Sequence, residues 1–327
     1  MRGVVRVRSV KASNWGHILQ AEGFVNIIID RTIHLFIAPN LKGGIINLCN
    51  KLNGSLKMKL LIILLSLGLI SCAHKGPRHD RHKLEKAAYG KHRSEKNIVR
   101  NTYRNPVETL SFFEVKPNMK VAEISPGGGW YTEILGPYLR KNGQLHLTIF
   151  SDQSDKPYAP KLNKKVRTLT SNKDLFGKVT FSTLEPPKYI EAIGKDNSMD
   201  RVLTFRNVHN WMKAGKLDEV LQVFYKALKP GGVLGIVEHR AKMNKKQDPK
   251  SKSGYVREDY VIKAAQSHGF EFVAKSEINA NYNDSTNHTK GVWTLPPSLR
   301  DKENNKAKYL AIGESDRMTL KFRKPLK

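Results

Sequence analysis

The sequence predicts an α/β fold over residues 101–327, a parallel β-sheet with helices on both faces. Three observations predict it. Short, largely apolar runs at 121–124, 145–150, 179–184, 200–205 and 233–237 read as buried strands. Helical stretches separate them, as at 217–228. The first run leads through a glycine-rich turn into a helix over 131–139. Strands that alternate with helices in this way assemble into a parallel sheet covered on both sides.

The elements follow in order. The chain has 327 residues, 39% hydrophobic and 26% charged, enough apolar content for a packed core and too much for wholesale disorder. Residues 1–57 are basic, acid-poor and without a sustained helical or strand period; they read as a mis-called leader, with Met58 the expected start. An almost unbroken apolar run over 60–70 then ends in Ser71-Cys72-Ala73. Eleven residues are too few to span a bilayer and suit a signal-peptide core. A buried helix of a real N-terminal domain is the alternative. Residues 72–100 are rich in Lys, Arg and His and read as a basic, solvated tether. His74, His79, His82 and His92 there are too loosely spaced for a convincing metal set. Asn105-Pro106 starts a helix with Pro at its first position, and Leu110, Phe113 and Val115 suit its inner face. Near the other end, a helix over 258–268 precedes a strand to about residue 278, and 319–324 is the final strand. The long polar stretch 279–313 has the size of a lid; Asn283, Asp284, Trp293, Pro296 and Pro297 are its candidate covering residues.

Charge and cysteine content bound the chemistry. A net charge of +28 and a pI near 10 favour anionic partners. Two cysteines, Cys49 and Cys72, build neither a disulfide framework nor a zinc cluster, and nothing in the sequence requires a metal. The lysines are scattered rather than gathered into one patch, which argues against a nucleic-acid partner.

The central motif is VAEISPGGGWYT at 121–132. Glycine lets backbone approach a ligand closely, and a helix N-terminus favours nearby negative charge. The loop lacks the G-x-G-x-x-G spacing of a dinucleotide site and the Gly-Lys-Ser/Thr of an ATP loop. An acid at the strand end followed by glycines suits an amino-acid nucleoside better. RNVHNW at 206–211 follows the fourth predicted strand, on the edge where open α/β sheets bind ligands. His209 there is a candidate general base, or a hydrogen-bonded structural histidine near a helix cap. Trp211 stacks on a substrate or packs. Glu238-His239-Arg240 ends the fifth strand on the same edge, and Tyr255 and Arg257 open the next helix. Arg257 either grips an anionic substrate or belongs to a surface salt-bridge network.

From Arg104 to Pro325 the sequence resembles class I S-adenosylmethionine (SAM)-dependent methyltransferases, and within them a bacterial group of predicted methyltransferases that often carry export signals. The resemblance is carried by KPNMKVAEISPGGGWYTEIL at 116–135, RNVHNW at 206–211, LKPGG at 228–232 and SDR at 315–317. It implies a Rossmann-like, doubly wound, seven-stranded sheet, mostly parallel with an antiparallel last strand. It implies SAM as cofactor, with Glu123, Ser125, Gly127, Gly128, Gly129 and Asn207 around it and a small or medium acceptor beside His209. Ser125 stands where most such enzymes have glycine. At the ribose position simple alignment puts Ile149, and Asp152 is the nearest acid. Glu185 falls where adenine is met, or is a solvated loop acid. Leu69-Ile70-Ser71-Cys72 resembles the lipobox of bacterial lipoproteins, which implies cleavage before Cys72, a lipid on it and a place at the cell envelope on the periplasmic side. The SAM supply outside the cytoplasm is the reason to keep a second reading, a non-catalytic binding module on the same fold, tethered at the envelope.

Overall fold

Helix α1 (Pro77–Ala88) leads through single helical turns at Glu95–Ile98 and Asn101–Arg104 to α2 (Pro106–Phe112). Then come β1 (Lys120–Ile124), α3 (Thr132–Leu139), β2 (Gln144–Ile149), α4 (Ala159–Thr170), β3 (Val179–Glu185), β4 (Tyr189–Ile190) and β5 (Met199–Phe205). Helices α5 (Val208–Ala214) and α6 (Leu217–Ala227) precede β6 (Leu228–His239). The chain continues through α7 (Glu258–Ser267), β7 (Glu271–Ser276), α8 (Lys302–Ile312) and β8 (Arg317–Arg323). This computed structural model describes residues 77–326; the expected leader, the 58–71 signal and Cys72 lie outside them. No helix among the described residues is long and apolar enough to cross a membrane.

The strands form one sheet in the order β4-β3-β2-β1-β5-β6-β8-β7. β1 pairs in parallel with both β2 and β5, β2 with β3, and β5 with β6. β8 runs antiparallel to both β6 and β7. This is a Rossmann-like, doubly wound sheet with the antiparallel last strand in place. It has eight strands rather than seven because Tyr189 and Ile190 fold back antiparallel on β3. Two residues are too short a run to announce themselves in sequence.

Burial explains the sheet. Val121, Ala122, Glu123 and Ile124 are all buried, so β1 has helices on both sides. On one face Ala122, Ile124, Val202, Leu234 and Ile236 meet the apolar stripe of α6, which is Leu217, Val220, Leu221 and Phe224. That stripe repeats every three or four residues, the period of a half-buried helix. On the other face Val121, Leu145, Leu147 and Leu203 meet Leu110, Ile134 and Leu135.

The tether expected at 72–100 is corrected for residues 77–100. Leu84, Ala87 and Ala88 of α1 sit at i, i+3 and i+4 and are buried in the second face's core. Arg93 is buried as well: it contacts Glu133 at 3.3 Å and donates to Asn101 Oδ1 at 3.0 Å and to the Ala88 carbonyl. Basic residues dominate this stretch, and its apolar face is narrow and partly alanine. It reads as solvated because the carboxylate that pairs with its arginine, Glu133, lies 40 residues further along the chain.

Candidate functional site

β1 has neighbours on both sides, and the chain leaves it first toward β2 and later returns to β5. The connections diverge there and open a crevice at the carboxyl edge. A cleft of about 370 Å³ occupies it. Its walls are the turn after β1, the turn after β5, the residues Asn97, Arg100 and Arg104 before α2, and Trp293, Pro296–Ser298, Glu314 and Ser315 from the C-terminal part.

The turn after β1 holds Ser125, Gly127 and Gly129 at positive φ, +48°, +58° and +83°. The two glycines differ in purpose. A Cβ built on Gly127 meets nothing within 4 Å, so this backbone faces open cleft. A Cβ on Gly129 lies 2.8 Å from Leu169 Cδ2, so Gly129 lets the turn pack on α4. The sequence reading gave both the same ligand-facing role; Gly129 is corrected to a packing role. Gly128 lines the cleft beneath Lys165.

Glu123 lines the cleft from the end of β1 and is 2% exposed. Its carboxyl accepts a hydrogen bond from Thr132 Oγ1 at 2.7 Å. Burial outweighs that bond and pushes its pKa from 4.5 up to about 8. A group whose pKa is raised by folding contributes stability that is fully present below about 4.5 and is lost as pH rises through about 8. The expected result is that the melting-temperature difference between wild type and Glu123→Gln, taken without ligand from pH 5 to 9, moves against wild type as pH rises. A pH-independent difference would remove the neutral-carboxyl account.

The turn after β5 is tied to β1. Asn207 Nδ2 donates to the Ile124 carbonyl at 3.0 Å and to Thr204 Oγ1 at 3.2 Å. His209 is buried, and its Nδ1 lies 3.0 Å from Glu238 Oε1. Glu238 also accepts from the backbone N–H of His209 at 3.3 Å and of His239 at 2.8 Å. This leaves His209 Nε2 as the ring nitrogen that Glu238 does not engage. His239 pairs with Ser315 Oγ at 2.5 Å, and burial, helped by His209, keeps its imidazole neutral. His209, Glu238 and His239 are also the set of side chains close enough to share a metal ion among the described residues. Glu238's oxygens are already taken by these protein donors, so the geometry is better read as a carboxylate that orients His209.

A second cleft of about 420 Å³ shares Ser125, Asn207 and Asn210 with the first and is lined further by Phe150, Tyr158, Leu184 and Glu185. Several expected residues go elsewhere. Asp152 is corrected: its carboxylate is 80% exposed and lies 3.7 Å from Arg167, outside both clefts. Glu185 is buried rather than solvated, and is held by Ser151 N–H, Ser154 Oγ and Lys156 at 2.6–3.2 Å. Trp211 belongs to the core, edge-on to Phe224, and borders only the second cleft. Arg257 is corrected too: it pairs with Asp259 at 2.6 Å, away from both clefts. Of the stretch 279–313, Trp293, Pro296 and Pro297 line the cleft, whereas Asp284 is buried and accepts from Tyr255 Oη at 2.8 Å. Asn97, Arg100, Arg104, Trp130 and Glu314 line the cleft and were not singled out from sequence. The SDR motif at 315–317 adjoins Glu314 and was the available signal.

No family model matches the sequence, and no curated protein matches it. Solved structures share the fold at low identity. A SAM-dependent methyltransferase from Aquifex aeolicus is 18% identical over 61% of this chain and 93% of its own, with a TM-score of 0.44. The SpnF cyclase is 13% identical over 73% and 86%, with a TM-score of 0.49. Phosphoethanolamine N-methyltransferase 2 of Haemonchus contortus, solved with SAM, is 15% identical over 76% and 58%, with a TM-score of 0.43. Fold likeness leaves the reaction to be argued from the site.

Proposed function

We propose that this chain is a SAM-dependent methyltransferase acting on a small or medium acceptor. The observation that carries the reading is the cleft at the carboxyl ends of β1 and β5, where Gly127 faces open space beside the neutral Glu123 and the Glu238-oriented His209. Glu123 and the backbone at Ser125–Gly128 would take the amino-acid end of SAM. The second cleft, with Phe150, Tyr158 and Glu185, would take the nucleoside.

SAM held by these residues would supply a methyl group already activated as a sulfonium. The protein's share is alignment and proton removal. Asn207 fixes the β5 turn against β1, so that His209 stands at a set place on the cleft wall. Glu238 holds Nδ1, which makes Nε2 the atom that receives a proton where the acceptor has one to lose. Trp293 and Pro296–Ser298 close one side against water.

A second reading is favoured by one observation: no carboxylate from the end of β2 reaches either cleft, since Asp152 points to solvent. That reading is a non-catalytic binding module on the same fold, tethered at the cell envelope. Isothermal titration of SAM and S-adenosylhomocysteine (SAH) into the full-length protein tests both. Saturable binding of each supports the site, and SAH formation once an acceptor is supplied supports the enzyme. Failure to bind either removes the methyltransferase reading. Residence at the bacterial envelope through a lipid on Cys72 belongs to the proposal as well and rests on the sequence run before that cysteine.

A further inference from the structure

One end of the cleft concentrates positive charge. Arg100 Nε lies 2.7 Å from Glu314, Arg104 Nε 3.0 Å from it, and Arg317 Nη1 3.3 Å from it. Arg206, whose backbone is left-handed at φ +66°, adds a fourth guanidinium to the same field. Burial opposes the charge on Glu314, yet Arg317, Arg104, Arg100 and Arg206 together hold its pKa down at about 2, so it is ionised. Glu314 therefore faces four guanidiniums, with Glu238 also acting on Arg206.

The donors are not used up. Arg104 is 1% exposed, and its Nη2 and that of Arg100 are buried without a hydrogen-bond partner. Among the described residues the Arg206 guanidinium has neither a hydrogen bond nor an ion pair, and Arg206 lines the cleft with Arg100 and Arg104. A buried cation left short of partners is costly, and the ordinary remedy is an opposite charge. Guanidinium forks match the paired oxygens of carboxylate and phosphate.

SAM does not supply enough of that charge. Its sulfonium and ammonium outnumber its one carboxylate, so it enters as a net cation. We propose that the acceptor itself is anionic, and that its carboxylate or phosphate is bound by Arg206, with Arg100 and Arg104 adding positive charge behind it. This rests on the methyltransferase reading for the word acceptor, but the anion site stands on the arginines alone. The cluster lines the same cleft as His209 and Trp293, which bounds the acceptor to what a cleft of about 370 Å³ admits beside the cofactor.

The test uses full-length protein and two probes, inorganic phosphate and malonate, against sodium chloride at matched ionic strength, because a chain of +28 attracts any anion weakly. Saturable binding of at least one probe is expected, with and without saturating SAH. Arg206→Gln and Arg100→Gln are each expected to weaken it at least ~10-fold while SAH affinity stays within about twofold. Which probe binds tighter assigns phosphate or carboxylate. No saturable binding to wild type, or unchanged binding in both variants, overturns the proposal. Competition between probe and SAH, or variants that lose SAH rather than the probe, also overturns it, by assigning the arginines to the cofactor's own carboxylate. Binding of the probe with no binding of SAH leaves the anion site standing and removes the methyltransferase reading instead.

Discussion

Gly127→Val is expected to weaken SAH binding by about 100-fold or more in protein that remains folded. Nothing lies within 4 Å of a Cβ at this position, so the branch point of the valine enters open cleft rather than packed protein. Its cost to folding is backbone strain at φ +58°, about 1–3 kcal/mol, which is a melting-temperature loss of several degrees in a domain of this size. Gly127→Asn controls for that strain, since asparagine tolerates left-handed backbone and still occupies the space. Gly129→Val behaves differently: the clash with Leu169 and the φ of +83° make it chiefly a stability variant. Isothermal titration beside thermal melts separates these effects. Wild-type affinity in folded Gly127→Val would empty the turn of its ligand role.

His209→Ala is expected to lower turnover by roughly 10²-fold or more while SAH affinity stays unchanged. The expectation depends on geometry: Glu238 fixes Nδ1 at 3.0 Å, and so determines which nitrogen is offered to the cleft. Glu238→Gln then makes a useful companion. It keeps the shape but weakens the hold on Nδ1, and should reduce kcat more than it changes KM. The measurement is SAH release with an acceptor identified through the anion site. Full kcat per folded molecule with a lower melting temperature would make His209 a structural residue at the start of α5.

The parts of the fold legible in sequence were those written locally. Buried strands such as 121–124 and 200–205 announce themselves as apolar runs, and the stripe of α6 repeats with its own period. The β1 turn was legible for the same reason, since strand, glycines and helix are contiguous. What was not legible depends on distance in the chain. Arg93 reads as a tether residue until Glu133 is brought beside it, and Arg100 and Arg104 find Glu314 more than 200 positions later. Asp152 failed for the opposite reason: nearness in sequence to the end of β2 says nothing about which way a loop side chain turns. Glu123 was legible as a site residue, but its protonation state follows from burial that only the assembled sheet provides.

The place of β8 in the sheet orders the assembly of the site. β7 is synthesised before β8 yet lies outside it, so β7 has no strand to pair with until β8 has threaded between it and β6. That insertion closes a long loop, the kind of late, entropically expensive contact that slows folding. The residues just ahead of β8 are Glu314 and Ser315, the counter-ion of the arginine cluster and the partner of His239. A chain that ends at α8 therefore lacks Glu314 and Ser315, and its three cleft guanidiniums, Arg100, Arg104 and Arg206, are balanced only by what solvent and free anions supply. Phosphate-rich surroundings should speed the last folding step of wild type, and should do so less for Arg206→Gln.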